Sequence, residues 1–147
     1  MSRHLSIPSA LALFSLAVAA AACGTTASAD PKAKAAPTDH DVCVSVFQKQ
    51  RSCTDQFIPA LVDLRAKLDN PPGIAAKVKA DRSAVITEAK KEWANDSKDA
   101  AIAQTCTKLV ATPDKDMVAT AQGCLAKSAC DAFVPCIMPV IEKHLHK

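Results

Sequence analysis

From residue 38 onward the apolar positions recur with the period of a helix and nowhere with the period of a strand. Thr38 followed by Asp39 and Asp41 is a helix start, a hydroxyl N-cap with acids in the first turn, and Cys43, Val46 and Phe47 then share one side of a first helix. Phe57, Leu61, Leu64 and Leu68 stand at i, i+4, i+7 and i+11 and predict a second helix that begins or kinks at Pro59. Asn70-Pro71-Pro72-Gly73 forces a turn. Ile74, Val78, Val85, Ala89 and Trp93 form a third stripe, opposite a face carrying Lys77, Asp81, Glu88 and Lys91. Ile102, Cys106, Leu109 and Val110 mark a fourth helix, with Ile102 and Leu109 turned inward. Thr112 as a cap and Pro113 at the first helical position predict a fifth, with Met117, Ala121 and Leu125 along it. The segment from Cys130 to Leu145 is a last helix, expected to bend near Pro135 and Pro139. Glycine occurs three times, tyrosine never, and no alternating β-branched run ends in an Asn-Gly or Asp-Gly turn. The expected class is all-α, a small bundle of about five to six helices.

The N-terminal segment is of another kind. Arg3 and His4 precede an uncharged stretch from Leu5 to Ala22, a basic region and then an apolar one ending in small residues, which is the profile of a secretory signal peptide over residues 1–22. About 18 apolar residues is the lower edge of a bilayer span, and Pro8 with the serines argues against one. The following Ala20-Ala21-Ala22-Cys23-Gly24 resembles the lipobox of bacterial lipoproteins, departing from it at Ala20, where leucine is usual. That resemblance implies that Cys23 carries a thioether-linked diacylglycerol and an acylated N-terminus, with palmitate-like chains as the membrane anchor. Acyl chains contribute ~0.8 kcal/mol per buried methylene, and two or more hold a protein stably on a bilayer. Gly24 at the next position resembles lipoproteins forwarded to an outer membrane, on its periplasmic side. The competing cut follows Ala27-Ser28-Ala29, before Asp30, and leaves a periplasmic or secreted protein without Cys23.

Residues 23–37 after this cysteine contain no large apolar side chain and read as a flexible tether, which leaves 38–147 as one small folded domain. Loss of residues 1–22 removes Arg3 and no acid, so the mature chain is near +2, a balance that implies no nucleic-acid partner. Six cysteines remain in the domain: Cys43, Cys53, Cys106, Cys124, Cys130 and Cys136. An even number in an exported domain of this size reads as three disulfides, and the absence of any C-x-x-C pair argues against a zinc or redox site.

If the first and last helical segments run antiparallel, Cys43 pairs with Cys136 and Cys53 with Cys124, and Cys130, turned by about 120° from Cys124, takes Cys106. This ladder resembles in outline the twin C-x9-C helical hairpins, from which it departs by an x11 second spacing. It would also bring His40 towards His144.

The chain shows no Gly-rich phosphate loop, nucleophile elbow or zinc-protease spacing, so no catalytic residue, metal ligand or cofactor is assigned. His40, between Asp39 and Asp41, and His144 and His146 at the far end read as charges opposing helix dipoles, with a shared N/O metal site as the sharper alternative. Trp93, among Lys90, Lys91, Glu92, Asn95 and Asp96, reads as a large residue covering the edge of the core. The functional expectation is a lipid-anchored, non-enzymatic envelope module that binds an envelope protein or a cell-wall component, or serves a structural role. Alternatives are a periplasmic chaperone or stress protein, and a thiol- or metal-handling protein.

Overall fold

Six helices stand where the apolar periodicity places them: α1 (Asp39–Ser52), α2 (Thr54–Leu68), α3 (Ile74–Asp96), α4 (Asp99–Leu109), α5 (Lys115–Leu125) and α6 (Cys130–Leu145). They come from a computed structural model that describes residues 36–146. The predicted export signal, Cys23, the alternative cut before Asp30 and all but the end of the tether lie outside the described residues. Among the described residues no helix is long and apolar enough to cross a membrane.

Short polar side chains cap the starts of α1 and α5 and link the end of α2 to the start of α3. Thr38 caps α1 in a reciprocal box: its hydroxyl accepts from the Asp41 N–H at 3.2 Å, and Asp41 Oδ2 accepts from the Thr38 N–H at 3.0 Å and hydroxyl at 2.7 Å. Those bonds, the hydroxyl first, hold the Asp41 carboxyl below its ordinary range. α1 and α2 are joined by a single residue: the Cys53 N–H donates to the Lys49 and Gln50 carbonyls, while its own carbonyl accepts from Gln56 and Phe57. Pro59 lies inside α2, where its ring removes only the bond to Asp55, whose carbonyl sits on an exposed residue. Asp69, left-handed at φ 45°, ends α2, and its Oδ1 accepts from the N–H groups of Gly73 (2.9 Å) and Ala75 (3.1 Å), starting α3 across the turn. Gly73 itself stands at φ 86°, a conformation that side chains with a Cβ disfavour.

Two local starts differ from the sequence expectation. The cap of α5 is Asp114, whose side chain accepts from the Met117 N–H at 3.1 Å, so Thr112 and Pro113 belong to the preceding turn. A carboxylate facing N3 is the better acceptor for that orphan donor. Within α3, Asp81 leaves helical geometry (φ −155°, ψ 87°) and its Oδ1 accepts from the Ala84 N–H at 2.9 Å, so the long stripe is two helical segments with a fresh cap between them.

The core is built by α1, α2, α5 and α6. Val42 and Val46 from α1 meet Phe57, Ile58 and Val62 from α2, with Phe133, Val134 and Ile137 from α6 and Ala121 from α5 closing it. α1 packs against α2, α4 and α5, whereas α2 packs against α3 and α6. Ile102 is buried as expected, but Leu109, at the last residue of α4 where the chain turns away, is the one large apolar side chain left exposed among the described residues.

All six domain cysteines are paired, and the pairing is Cys43–Cys106, Cys53–Cys130 and Cys124–Cys136. This replaces the expected ladder of Cys43–Cys136, Cys53–Cys124 and Cys106–Cys130. The ladder needs α6 beside α1 along its length, but α4 and α5 occupy that side of α1 and α6 lies against α2. Only Cys130, at the start of α6, reaches the α1–α2 junction. Cys136, six residues further along and turned by about 120°, meets Cys124 on α5.

Candidate functional site: an apolar cleft beside α1

A cleft of about 330 Å³ runs between α1, α5, α6 and the α4–α5 turn. Its direction follows from the ties at its two ends. At one, the Cys53–Cys130 bridge and the bond from Lys49 Nζ to the Ser128 carbonyl fix the end of α1 to the α5–α6 turn. At the other, Lys143 near the end of α6 pairs with Asp114 at the start of α5, 3.2 Å apart. Asp39, Asp114, Lys108 and His144 therefore gather at the mouth, and Gln50 lies at the far end. Asp39 and Gln50 are eleven residues apart on α1, which makes the cleft about 16 Å long.

The walls are aliphatic. α1 contributes Val42, Val46 and Phe47, α5 contributes Met117, Val118 and Ala121, and α6 contributes Ile137, Val140 and Ile141. Leu109, 38% exposed, sits at the entrance. This wall explains why Leu109 is not in the core: it lines a surface that solvent can enter.

Gln50 is the unusual residue. It follows Val42 and Val46 at steps of four, so the helix carries it onto the buried face, and it is 4% exposed. Its amide makes no hydrogen bond to any of the described residues. The amide keeps a small remnant of accessible surface, and the one cleft that Gln50 lines is this one.

A second depression of about 410 Å³ shares Phe47 with the first and is lined by Ile58, Leu61, Arg65 and Trp93 among others. Trp93 packs between Phe47, at 6.2 Å between ring centroids, and Phe57, at 5.4 Å, covering the edge of the core as its sequence context suggested. Its Nε1 is buried without a partner among the described residues.

Asp39 and His144 both line the cleft, whereas His40, the residue the ladder was to bring towards His144, does not line it, and the ladder is not formed. No group of three His, Cys, Asp or Glu side chains stands close enough to hold a metal ion among the described residues. Gln50 was missed altogether. Its signal was present, as a polar residue at a buried register of an otherwise apolar stripe. Comparison of the whole chain with known protein families, curated proteins and solved structures finds no match.

Proposed function

We propose that the protein is a non-enzymatic binding module of the bacterial cell envelope, anchored through lipid on Cys23, with the cleft beside α1 as its binding surface. The observation that carries the binding role is the apolar cleft itself, lined from three helices, with the Gln50 amide at its end making no hydrogen bond among the described residues. A polar group in that state is satisfied when something enters. The aliphatic walls of the cleft support a binding role, with Asp39, Lys108, Asp114 and His144 confined to its mouth. Three bridges in a domain of this size support an oxidising compartment, in keeping with export. Residues Ala20 to Gly24 support the anchor and an outer-membrane address.

Two measurements test this. The N-terminal mass and detergent partitioning of wild type and Cys23→Ser report the anchor: an acylated Cys23 and loss of membrane association in the variant are expected, whereas a mature aqueous protein beginning at Asp30 overturns that part. A photoreactive residue in place of Leu109, activated in intact cells, reports the cleft. Adducts are expected there and not from a control position at Glu88 on the exposed face of α3, and equal labelling at both positions overturns the binding surface.

A further inference from the structure

We infer that the Cys43–Cys106 bridge is a redox latch on the cleft, which a dithiol opens by thiol–disulfide exchange to free α4 and the α4–α5 turn from α1. The inference rests on the reading of the cleft as a binding surface and adds how that surface is controlled.

Location singles this bridge out. Cys53 and Cys124 belong to the buried core, and Cys130 and Cys136 pack against it. Among the described residues neither Cys43 nor Cys106 is in that set. Opening either of the other two bridges therefore disturbs the core, whereas opening Cys43–Cys106 disturbs only the seam between α1 and α4. Exposure alone does not separate them, because Cys43, Cys130 and Cys136 are all half-buried. Of the six paired cysteines, only Cys43 lines the cleft.

What the latch holds is a strap. The segment from Asp99 to Asp114 forms one rim of the cleft through Lys108, Leu109, Val110, Thr112 and Pro113. Its ends are pinned by ion pairs in contact with solvent, Arg51–Asp99 at 2.8 Å and Lys143–Asp114 at 3.2 Å, and such pairs hold weakly. Between the pins α4 buries only Ile102 and Cys106. With the bridge open, Ile102 alone fastens the middle, so the strap opens locally while the core stays closed. The rim of the cleft leaves with it. The bridged form is therefore the binding form, and reduction releases what the cleft holds.

The exchange balances with one dithiol. Its thiolate attacks the sulfur of Cys43, the half-buried member, because Cys106 is fully buried. The S–S bond breaks, Cys106 leaves as a thiolate and takes up a proton, and Cys43 is joined to the reagent in a mixed disulfide. The second thiol of the reagent then displaces Cys43, which leaves as a thiol. The protein gains two electrons and two protons, and the dithiol is oxidised to a disulfide. The same steps run backwards close the latch.

The experiment titrates the full chain with dithiothreitol under native conditions, traps thiols with iodoacetamide and maps them by mass spectrometry, with hydrogen exchange followed in parallel. Cys43 and Cys106 are expected to be alkylated first, and exchange over residues 99–114 should then rise about tenfold or more with circular dichroism unchanged. Cys43→Ser with Cys106→Ser should show that exchange pattern without reductant. A photoreactive residue in place of Met117, on the α5 wall and outside the strap, reports occupancy in intact cells. Its adduct yield should be lower by about fivefold or more in the double-serine background.

Reduction of either other bridge first, or of all three together with loss of helical signal, overturns the latch. So does an open Cys43–Cys106 pair with exchange over 99–114 unchanged. Equal adduct yields from both backgrounds overturn the control of the cleft and leave the binding reading standing. Adducts from neither overturn the binding reading, and the latch's role with it.

Discussion

Arg82 grips both oxygens of Asp63, Nε to Oδ1 at 2.7 Å and Nη2 to Oδ2 at 2.8 Å, one residue beyond the break at Asp81 that divides α3. The fork joins α3 to α2 beside the Lys90–Asp55 pair and the packing of Trp93 on Phe47 and Phe57, all of them at the margin of the core. α3 has no fully buried residue and no cysteine, and it leans on α2 through half-buried side chains such as Val78, Val85 and Ile86. Local opening should therefore begin in α3. Hydrogen exchange is expected to be fastest there among the six helices. Because the pair is half-exposed, Arg82→Leu should cost under about 1 kcal/mol globally while accelerating α3 further. Amides of α3 protected as well as those of α6 would contradict this.

The bridges distribute stability unevenly. Cys53–Cys130 and Cys43–Cys106 close loops of 77 and 63 residues, and Cys124–Cys136 closes one of 12. In the chain-entropy picture the longest is worth about 4.5 kcal/mol and the shortest about 2.8, each taken alone. Replacing Cys53 and Cys130 by alanine should lower the denaturation midpoint more than replacing Cys124 and Cys136. Peptide mapping of unreduced protein checks the pairing directly, and a Cys43–Cys136 fragment would restore the ladder and remove this ranking.

How much of this was legible depended on whether the deciding interaction was local. Thr38 with Asp41, the Pro71-Pro72-Gly73 turn and the Phe57 stripe are set within a few residues, and each is where the sequence placed it. The α6 boundaries also followed, because both of its prolines sit on exposed positions where a lost carbonyl partner is replaced by water. The disulfide pairing did not follow, since it depends on which helices are neighbours across α1, and six cysteines on amphipathic helices fit several answers. Asp81 and Asp114 were available as caps. A continuous apolar stripe hid the first, and the commoner Thr-Pro start pattern hid the second. The cleft was illegible because it needs three helices and a turn together.

Acid should weaken the fold in a defined window. Asp41, Asp55, Asp63 and Asp69 are all held below the ordinary value of 3.8: Asp41 by Thr38, Asp55 by Lys90, Asp63 by Arg82, and Asp69 by the N–H groups of Ala75 and Gly73. A carboxyl with a lower value in the folded than in the unfolded state contributes stability that is fully present above the unfolded value. That contribution is lost as pH falls through the folded one. The melting temperature should be insensitive to these groups from about pH 7 down to about pH 5 and should fall below about pH 4. Asp63→Asn should melt lower than wild type at neutral pH and converge with it near about pH 2. A gap that persists undiminished in acid would show that the Asp63 contribution is not one of charge.

Gln50 offers a test of the site that needs no ligand. Gln50 is 4% exposed as a residue, its amide makes no hydrogen bond among the described residues, and it lines the cleft together with Val46, Ala121 and Ile137. Leaving a buried amide unpaired costs about 1–3 kcal/mol, less where some contact with water survives. Leucine fills a similar volume and asks for no partner. Gln50→Leu should therefore raise the unfolding free energy by about 1 kcal/mol, read as a higher denaturant midpoint at unchanged slope. Most substitutions of a buried residue act in the opposite direction. A gain in stability coupled to a loss of ligand affinity is the signature of a side chain kept for binding, and a Gln50→Leu protein less stable than wild type would mean that the amide is satisfied within the fold.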